Sequence, residues 1–271
     1  MWRRVKRAVS MADVVLEVVD ARDPLGTRCK RVERLARARG KKLIIVINKS
    51  DLVPRGVLER WKELFSKEFP TIYVSAKSRL GTKVLRNAVR KYAPKLPIKV
   101  AVVGYPNVGK STIINALKGR HVAETSPRAG ETKGERLVRV SSWFKLIDSP
   151  GVVPVADDVD KALKCIAPPE EISDPVLAAM ELIKRGLQKN KRLFEKKYGV
   201  KSKDPEKVIE ELARRRGLIR KGGKLAVDEA ARTIIRDWQA GELVFYYTPE
   251  DYGLLKSGGK DGVFVDEGKD S

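Results

Sequence analysis

The 271-residue sequence predicts an α/β fold: a doubly wound, mainly parallel sheet followed by a C-terminal helical domain. Four short apolar runs rich in β-branched residues, 14–20, 43–47, 71–74 and 100–104, alternate with charged segments of helix length. Each run ends in a polar or glycine-containing turn, where open parallel sheets carry their ligands. Beyond about Asp158 the character changes, and Lys/Arg-laden helical segments take over.

The elements follow in order. Residues 1–11 carry Arg3, Arg4, Lys6 and Arg7 and read as a short basic helix. The run 14–20, interrupted only by Glu17, fits a buried parallel strand, which Asp20-Ala21-Arg22-Asp23-Pro24 closes. Residues 28–39 predict a very basic helix with Val32 and Leu35 facing inward. The second strand, 43–47, runs straight into Asn48-Lys49-Ser50-Asp51. Pro54 opens a helix to about Lys67, and the strand 71–74 leads into Ser75-Ala76-Lys77. Residues 81–92 are helical, and 93–97 form a stiff connector before the fourth strand.

A helix at 110–117 is followed by a Pro-, Gly- and Thr-rich loop at 125–134. Residues 135–140 and 144–147 read as a strand pair, the second ending in Asp148-Ser149-Pro150-Gly151. Helices are expected at 173–186, around 189–198, at 205–216 and at 228–240. Residues 243–247 read as a short strand or a docked tail. The expected division is an α/β domain at 1–158, a basic helical domain at 159–251 and a flexible tail at 252–271.

The chain has 57 Lys+Arg against 35 Asp+Glu, a formal charge of +22, which argues for a polyanionic partner. No apolar stretch approaches the length of a spanning helix, and the first ten residues lack a signal-peptide core. Nucleic acid, not a membrane, is therefore the expected polyanion, and the cytoplasm the expected compartment. Cys29 and Cys165 lie in unrelated contexts and offer neither a disulfide framework nor a zinc site. His121 is the only histidine, which argues against a His-dependent triad. From Lys184 to Lys221, fifteen Lys/Arg stand against five Asp/Glu. A solvated helix face explains any one stretch, but the excess persists across several and predicts RNA binding through phosphates. Phe194, Tyr198 and Trp238 could stack on bases, although buried packing is the favoured reading for them.

The most specific motif is Gly104-Tyr105-Pro106-Asn107-Val108-Gly109-Lys110-Ser111. A strand, a glycine loop and a helix start in GxxxxGKS spacing make a phosphate cradle, with Val108, Gly109 and Thr112 in its wall. Lys110 can neutralise β and γ oxygens, and the Ser111 hydroxyl can ligate Mg²⁺. Asn48-Lys49-Ser50-Asp51 has the form of a guanine reader: Asp51 can accept from the ring N–H and the exocyclic amine. Lys49 can lie over the base, and Asn48 can brace the loop or bond to the base edge. Ser75, Ala76 and Lys77 add backbone donors for the guanine oxygen. Asp148 can hold Mg²⁺ through water, and the Gly151 N–H can meet a γ-phosphate. Thr132 is the candidate for the threonine that closes on Mg²⁺, with Thr125 as its competitor.

GxxxxGKS, DxPG, NKxD and SAK together resemble the translation-factor-related GTPases. Here their order is NKSD, SAK, phosphate loop, threonine loop, DSPG, a circular permutation of the usual arrangement. With Asp20-Ala21-Arg22-Asp23-Pro24 upstream, the chain resembles the circularly permuted GTPases of large-ribosomal-subunit assembly, the YlqF/RbgA-like group. The resemblance covers 1–158 and extends more loosely through Leu212-Ala213-Arg214-Arg215-Arg216-Gly217 and Ile234-Ile235-Arg236-Asp237-Trp238.

It implies a permuted P-loop GTPase sheet, GTP or GDP with Mg²⁺, and catalytic roles for Lys110, Thr132 and Gly151. It also implies a monomer that partners rRNA and the large ribosomal subunit precursor, which stimulates its slow hydrolysis. Asn107 either helps hold K⁺ at the phosphates, as the resemblance implies, or is a loop turn. Val152 stands where many GTPases place a water-orienting Gln, and no histidine precedes His121, so no residue is assigned to the attacking water. The permutation lets the chain leave the sheet after Gly151, so 152–161 would tie a γ-phosphate sensor to the helical domain. The readings from other classes are an RNA-binding scaffold with a structural nucleotide and a signalling switch with a protein effector.

Overall fold

The computed structural model describes residues 2–93, 96–118, 137–139, 143–147 and 156–255. Six strands are described: β1 (Val14–Asp20), β2 (Lys42–Asn48), β3 (Thr71–Tyr73), β4 (Ile98–Gly104), β5 (Leu137–Arg139) and β6 (Phe144–Ile147). They form one sheet in the order β3-β2-β1-β4-β6-β5, parallel throughout except for the pairing of β5 with β6. β1 is buried along its whole length, as a strand is when both sheet faces are covered.

Alternation along the strands sorts the core. Val15, Val19, Ile45 and Ile47 pack under α1 (Trp2–Met11), α2 (Lys30–Ala38) and α3 (Arg55–Ser66). Leu16, Val18, Ile44 and Val46 pack under α4 (Thr82–Lys91) and α5 (Lys110–Lys118). Glu17 has no exposure and accepts the Cys29 N–H at 2.5 Å, and burial pushes its pKa up to about 8.

What positions the site is the common rim. β1, β2 and β4 end at Asp20, Asn48 and Gly104, and β3 stops two residues before Ser75. The chain runs from β1 to β2 and β3 on one side, then returns to place β4 on β1's other edge. The crevice between β1 and β4 is therefore the topological switch point, where such sheets bind ligands.

The remaining helices are α6 (Asp158–Leu163), α7 (Pro175–Lys189), α8 (Leu193–Tyr198), α9 (Pro205–Arg215) and α10 (Val227–Ala240). Asp174 and Asp204 start α7 and α9: each side chain accepts a first-turn N–H, with proline as the first helical residue. Helix α7 runs three residues past the expected end at 186. A separate α8 follows, because the Asn190 side chain accepts the Arg192 N–H and turns the chain.

Phe194 and Trp238 are buried in the helical core, and the Tyr198 hydroxyl donates to Asp237 at 2.9 Å. Packing is thus the role of these aromatics. Residues 243–247 form a docked extended segment and not a strand, with the Phe245 ring 4.3 Å from that of Trp238. The Tyr252 hydroxyl donates to Asp23 at 2.6 Å, so the start of the expected tail is seated on the α/β domain. Among the described residues, no helix is long and apolar enough to cross a membrane.

Candidate functional site

Two glycines let the phosphate loop pass where it does. Gly104 has φ 146°, and a Cβ there would stand 2.4 Å from the Val18 carbonyl oxygen. Gly109 has φ 94°, and its Cβ would stand 2.1 Å from Asn48 Nδ2. Backbone so close to a neighbouring strand end, at positive φ, admits no side chain.

Asn48 is the brace of the site. It is 3% exposed; Nδ2 donates to the Val108 carbonyl at 2.8 Å, and Oδ1 accepts the Ala76 N–H at 3.2 Å. One side chain thus joins the base loop, the phosphate loop and the Ser75–Lys77 turn. Lys49 takes the left-handed conformation (φ 63°), and its Nζ lies 2.8 Å from Asp20 Oδ2. Ser75 is fully buried, and its Oγ accepts the Ser78 N–H at 3.2 Å.

These turns enclose a cleft of about 730 Å³, a volume that suits a nucleotide. Asn48, Lys49, Asp51 and Lys77 line one side. Asn107, Gly109, Lys110, Ser111 and Thr112 line the other. Ser75, Ala76 and Val108 stand behind this lining and hold it. Thr132, Asp148 and Gly151, with Thr125, His121 and Val152, lie outside the described residues.

The phosphate side has its own electrostatics. Lys110 Nζ donates to the Tyr105 carbonyl at 2.5 Å, and burial draws its pKa down to about 8. Asn107 has φ 56°, and its side-chain amide donates to the Cys165 carbonyl at 2.9 Å. The glycine cradle at Gly109, with Lys110 beside the exposed Ser111 hydroxyl, fits a phosphate and its magnesium ion.

Sequence reasoning missed the third wall. Pro168, Arg236, Gln239, Ala240 and Gly241, all from the helical segment, also line the cleft. The string 234–238 resembles the family, but nothing in its local pattern says that it faces a cleft more than a hundred residues upstream.

Five parallel strands carrying a glycine loop and a base loop on one rim define a P-loop GTPase domain, with its motifs in permuted order. A family model described as "50S ribosome-binding GTPase" matches residues 99–210, and one described as "Elongation factor Tu GTP binding domain" matches residues 2–95. An uncharacterized GTP-binding protein of Methanocaldococcus jannaschii is 41% identical over 246 residues, covering 89% of this chain and 65% of that protein. Nucleolar GTP-binding protein 2 of Schizosaccharomyces pombe is 33% identical over 269 residues, covering 95% of this chain and 49% of that protein. The chain spans about half to two-thirds of the length of these curated relatives. The crystal structure of GNP-bound YlqF from T. maritima matches with a TM-score of 0.65 at 28% identity, over 92% of this chain and 98% of that one.

The chain belongs to the circularly permuted, YlqF-like GTPase family. The expected fold and the expected family both stand.

Proposed function

We propose that the chain is a guanine-specific GTPase of the cytoplasm that binds rRNA within a large ribosomal subunit precursor, its nucleotide state setting association or release. The observation that carries this reading is the convergence of Asp51 and Lys110 on one cleft of about 730 Å³, walled also by the helical segment. Asp51 selects guanine: a base without its pair of N–H donors would strand a carboxylate, at a cost of about 1–3 kcal/mol. Lys49 covers the base, while Asn48, Ser75 and Ala76 hold the loops, and Lys77 lies alongside.

Gly109, Lys110 and Thr112 cradle the phosphates. Mg²⁺, held by Ser111, Asp148 and Thr132, would supply charge neutralisation there, and the Gly151 N–H would meet the γ-phosphate. K⁺ at Asn107 belongs to the same reading. An apolar residue at Val152 orients no water, so isolated turnover is slow and the ribosomal subunit stimulates it. The RNA-facing surface is the exposed basic run that includes Lys191, Arg192, Lys201, Lys203, Arg215 and Lys221. The protein acts as a monomer.

The test is co-sedimentation of the chain with large ribosomal subunits under GDP and under a non-hydrolysable GTP analogue, with phosphate release followed in parallel. A nucleotide-dependent shift into the subunit fraction, stimulated turnover and salt-sensitive RNA affinity are expected. Equal sedimentation in both states, with no stimulation, would overturn the proposal.

A further inference from the structure

Asp20 stands at the end of β1, at the switch point between the base loop and the phosphate loop, and the nucleotide reading gives it no task. Its carboxylate is 4% exposed and fully engaged. Oδ1 accepts the Arg22 backbone N–H and Nε, each at 3.0 Å. Oδ2 accepts Arg22 Nη2 at 2.8 Å and pairs with Lys49 Nζ at 2.8 Å. Burial pushes this carboxyl's pKa up, but Arg22 and then Lys49 outweigh it and hold the group below the usual carboxylate range.

Arg22 faces the other way as well. It is 1% exposed, and its guanidinium lies 4.1 Å from the centre of the Trp238 ring in α10. It donates to the Trp238 carbonyl and, at 3.4 Å, to Cys165 Sγ. The next two residues of α10, Gln239 and Ala240, line the cleft. A continuous path of charge-assisted bonds therefore runs from the base-covering lysine to the helix that walls the same cleft.

We propose that Asp20 and Arg22 are positioning residues of the nucleotide site: Asp20 sets the Lys49 amine, and Arg22 ties that setting to the seating of α10. Nucleotide binding and helical-domain docking are then coupled through one buried carboxylate, and the coupling is reciprocal. This rests on the guanine-nucleotide reading of the cleft and is separate from any switch through residues 152–161.

The test uses the full chain and fluorescently labelled (mant) GDP, with hydrogen exchange of 227–247 read in the free and GDP-saturated protein. In the wild type, GDP is expected to raise protection across α10. Arg22 does not line the cleft, yet Arg22→Met is expected to weaken GDP binding about tenfold and abolish that added protection. A folded Arg22→Met protein that binds GDP within about twofold of wild type and keeps the added protection overturns the proposal. So does a wild type in which GDP leaves α10 unchanged.

Removing one partner of a buried pair can unfold a protein, so Lys49→Met, which leaves the Asp20–Arg22 pair intact, is the second variant. Saturated with GDP, it is expected to show no added protection in α10. Protection that persists there would come from direct contact with the α10 wall, and the relay would be rejected. Failure of the wild type to bind GDP at all would instead overturn the nucleotide reading itself.

Discussion

The two sides of the cleft are built differently. On the base side, Asn48 is buried and bonded to two other turns, Ser75 is buried and bonded, and Lys49 is paired with Asp20. On the phosphate side, Ser111 and Thr112 are exposed, and Lys110 spends its amine on the neighbouring Tyr105 carbonyl. The base side is thus held in place by bonds that a ligand need not supply. The phosphate side carries groups that a ligand must recruit. The frame of the base side is expected to keep its own shape, with Lys49 relaying occupancy to α10, and phosphate engagement to be where binding reshapes the loop itself.

The sharpest way to break this comparison is at Lys110. Lys110→Met is expected to lower GTP affinity about a hundredfold, through a lost charge-assisted contact, while leaving the unfolding midpoint nearly unchanged. Titration calorimetry and denaturant melts on the same preparation check both halves. Next comes Asp51→Asn: guanine nucleotide should lose about ten- to a hundredfold in affinity as xanthine nucleotide gains, because the acceptor pair becomes a mixed donor and acceptor. Competition between GDP and XDP reads this directly, and an unmoved preference removes Asp51 from the base site.

Asn48→Ala probes the brace. It leaves the Val108 carbonyl and the Ala76 N–H without that partner and should cost about 1–3 kcal/mol of stability, seen in urea unfolding. An unchanged midpoint would show that the base side is not held as argued.

The smallest effect is a pH dependence. Lys110 has a pKa of about 8, and a neighbouring phosphate raises it. Above pH 8 the amine must regain its proton before it can pair with the phosphate. GDP affinity should therefore be flat below pH 8 and fall by at most about tenfold per pH unit above it. The Lys110→Met protein should show no such slope.

Much of this was legible in advance, for a physical reason. Strands buried on both faces must be apolar throughout, so 14–20 and 43–47 stood out, and the turns that follow them carried the motifs. Asn48, Asp51 and Lys110 could be placed because their chemistry depends on short, local spacing. What could not be read was pairing over distance. Nothing near Arg22 says that its guanidinium lies over Trp238, 216 positions away, and nothing near Gln239 marks it as a cleft wall. Local sequence leaves Asn48 between brace and base contact, because the deciding partner, the Val108 carbonyl, lies sixty residues downstream. For residues 243–247, composition allows a short strand or a docked tail, and the Trp238 ring under Phe245 decides for the docked segment.

The span of the third wall has a practical meaning. A ligand in contact with positions from 48 to 241 touches both the α/β part and the helical part of the chain, so local loosening of either loosens its hold. At a free concentration a hundred times its dissociation constant, such a ligand adds about 2.7 kcal/mol to global stability. Ligand-dependent melting temperature then becomes a direct gauge of whether the two halves are assembled together.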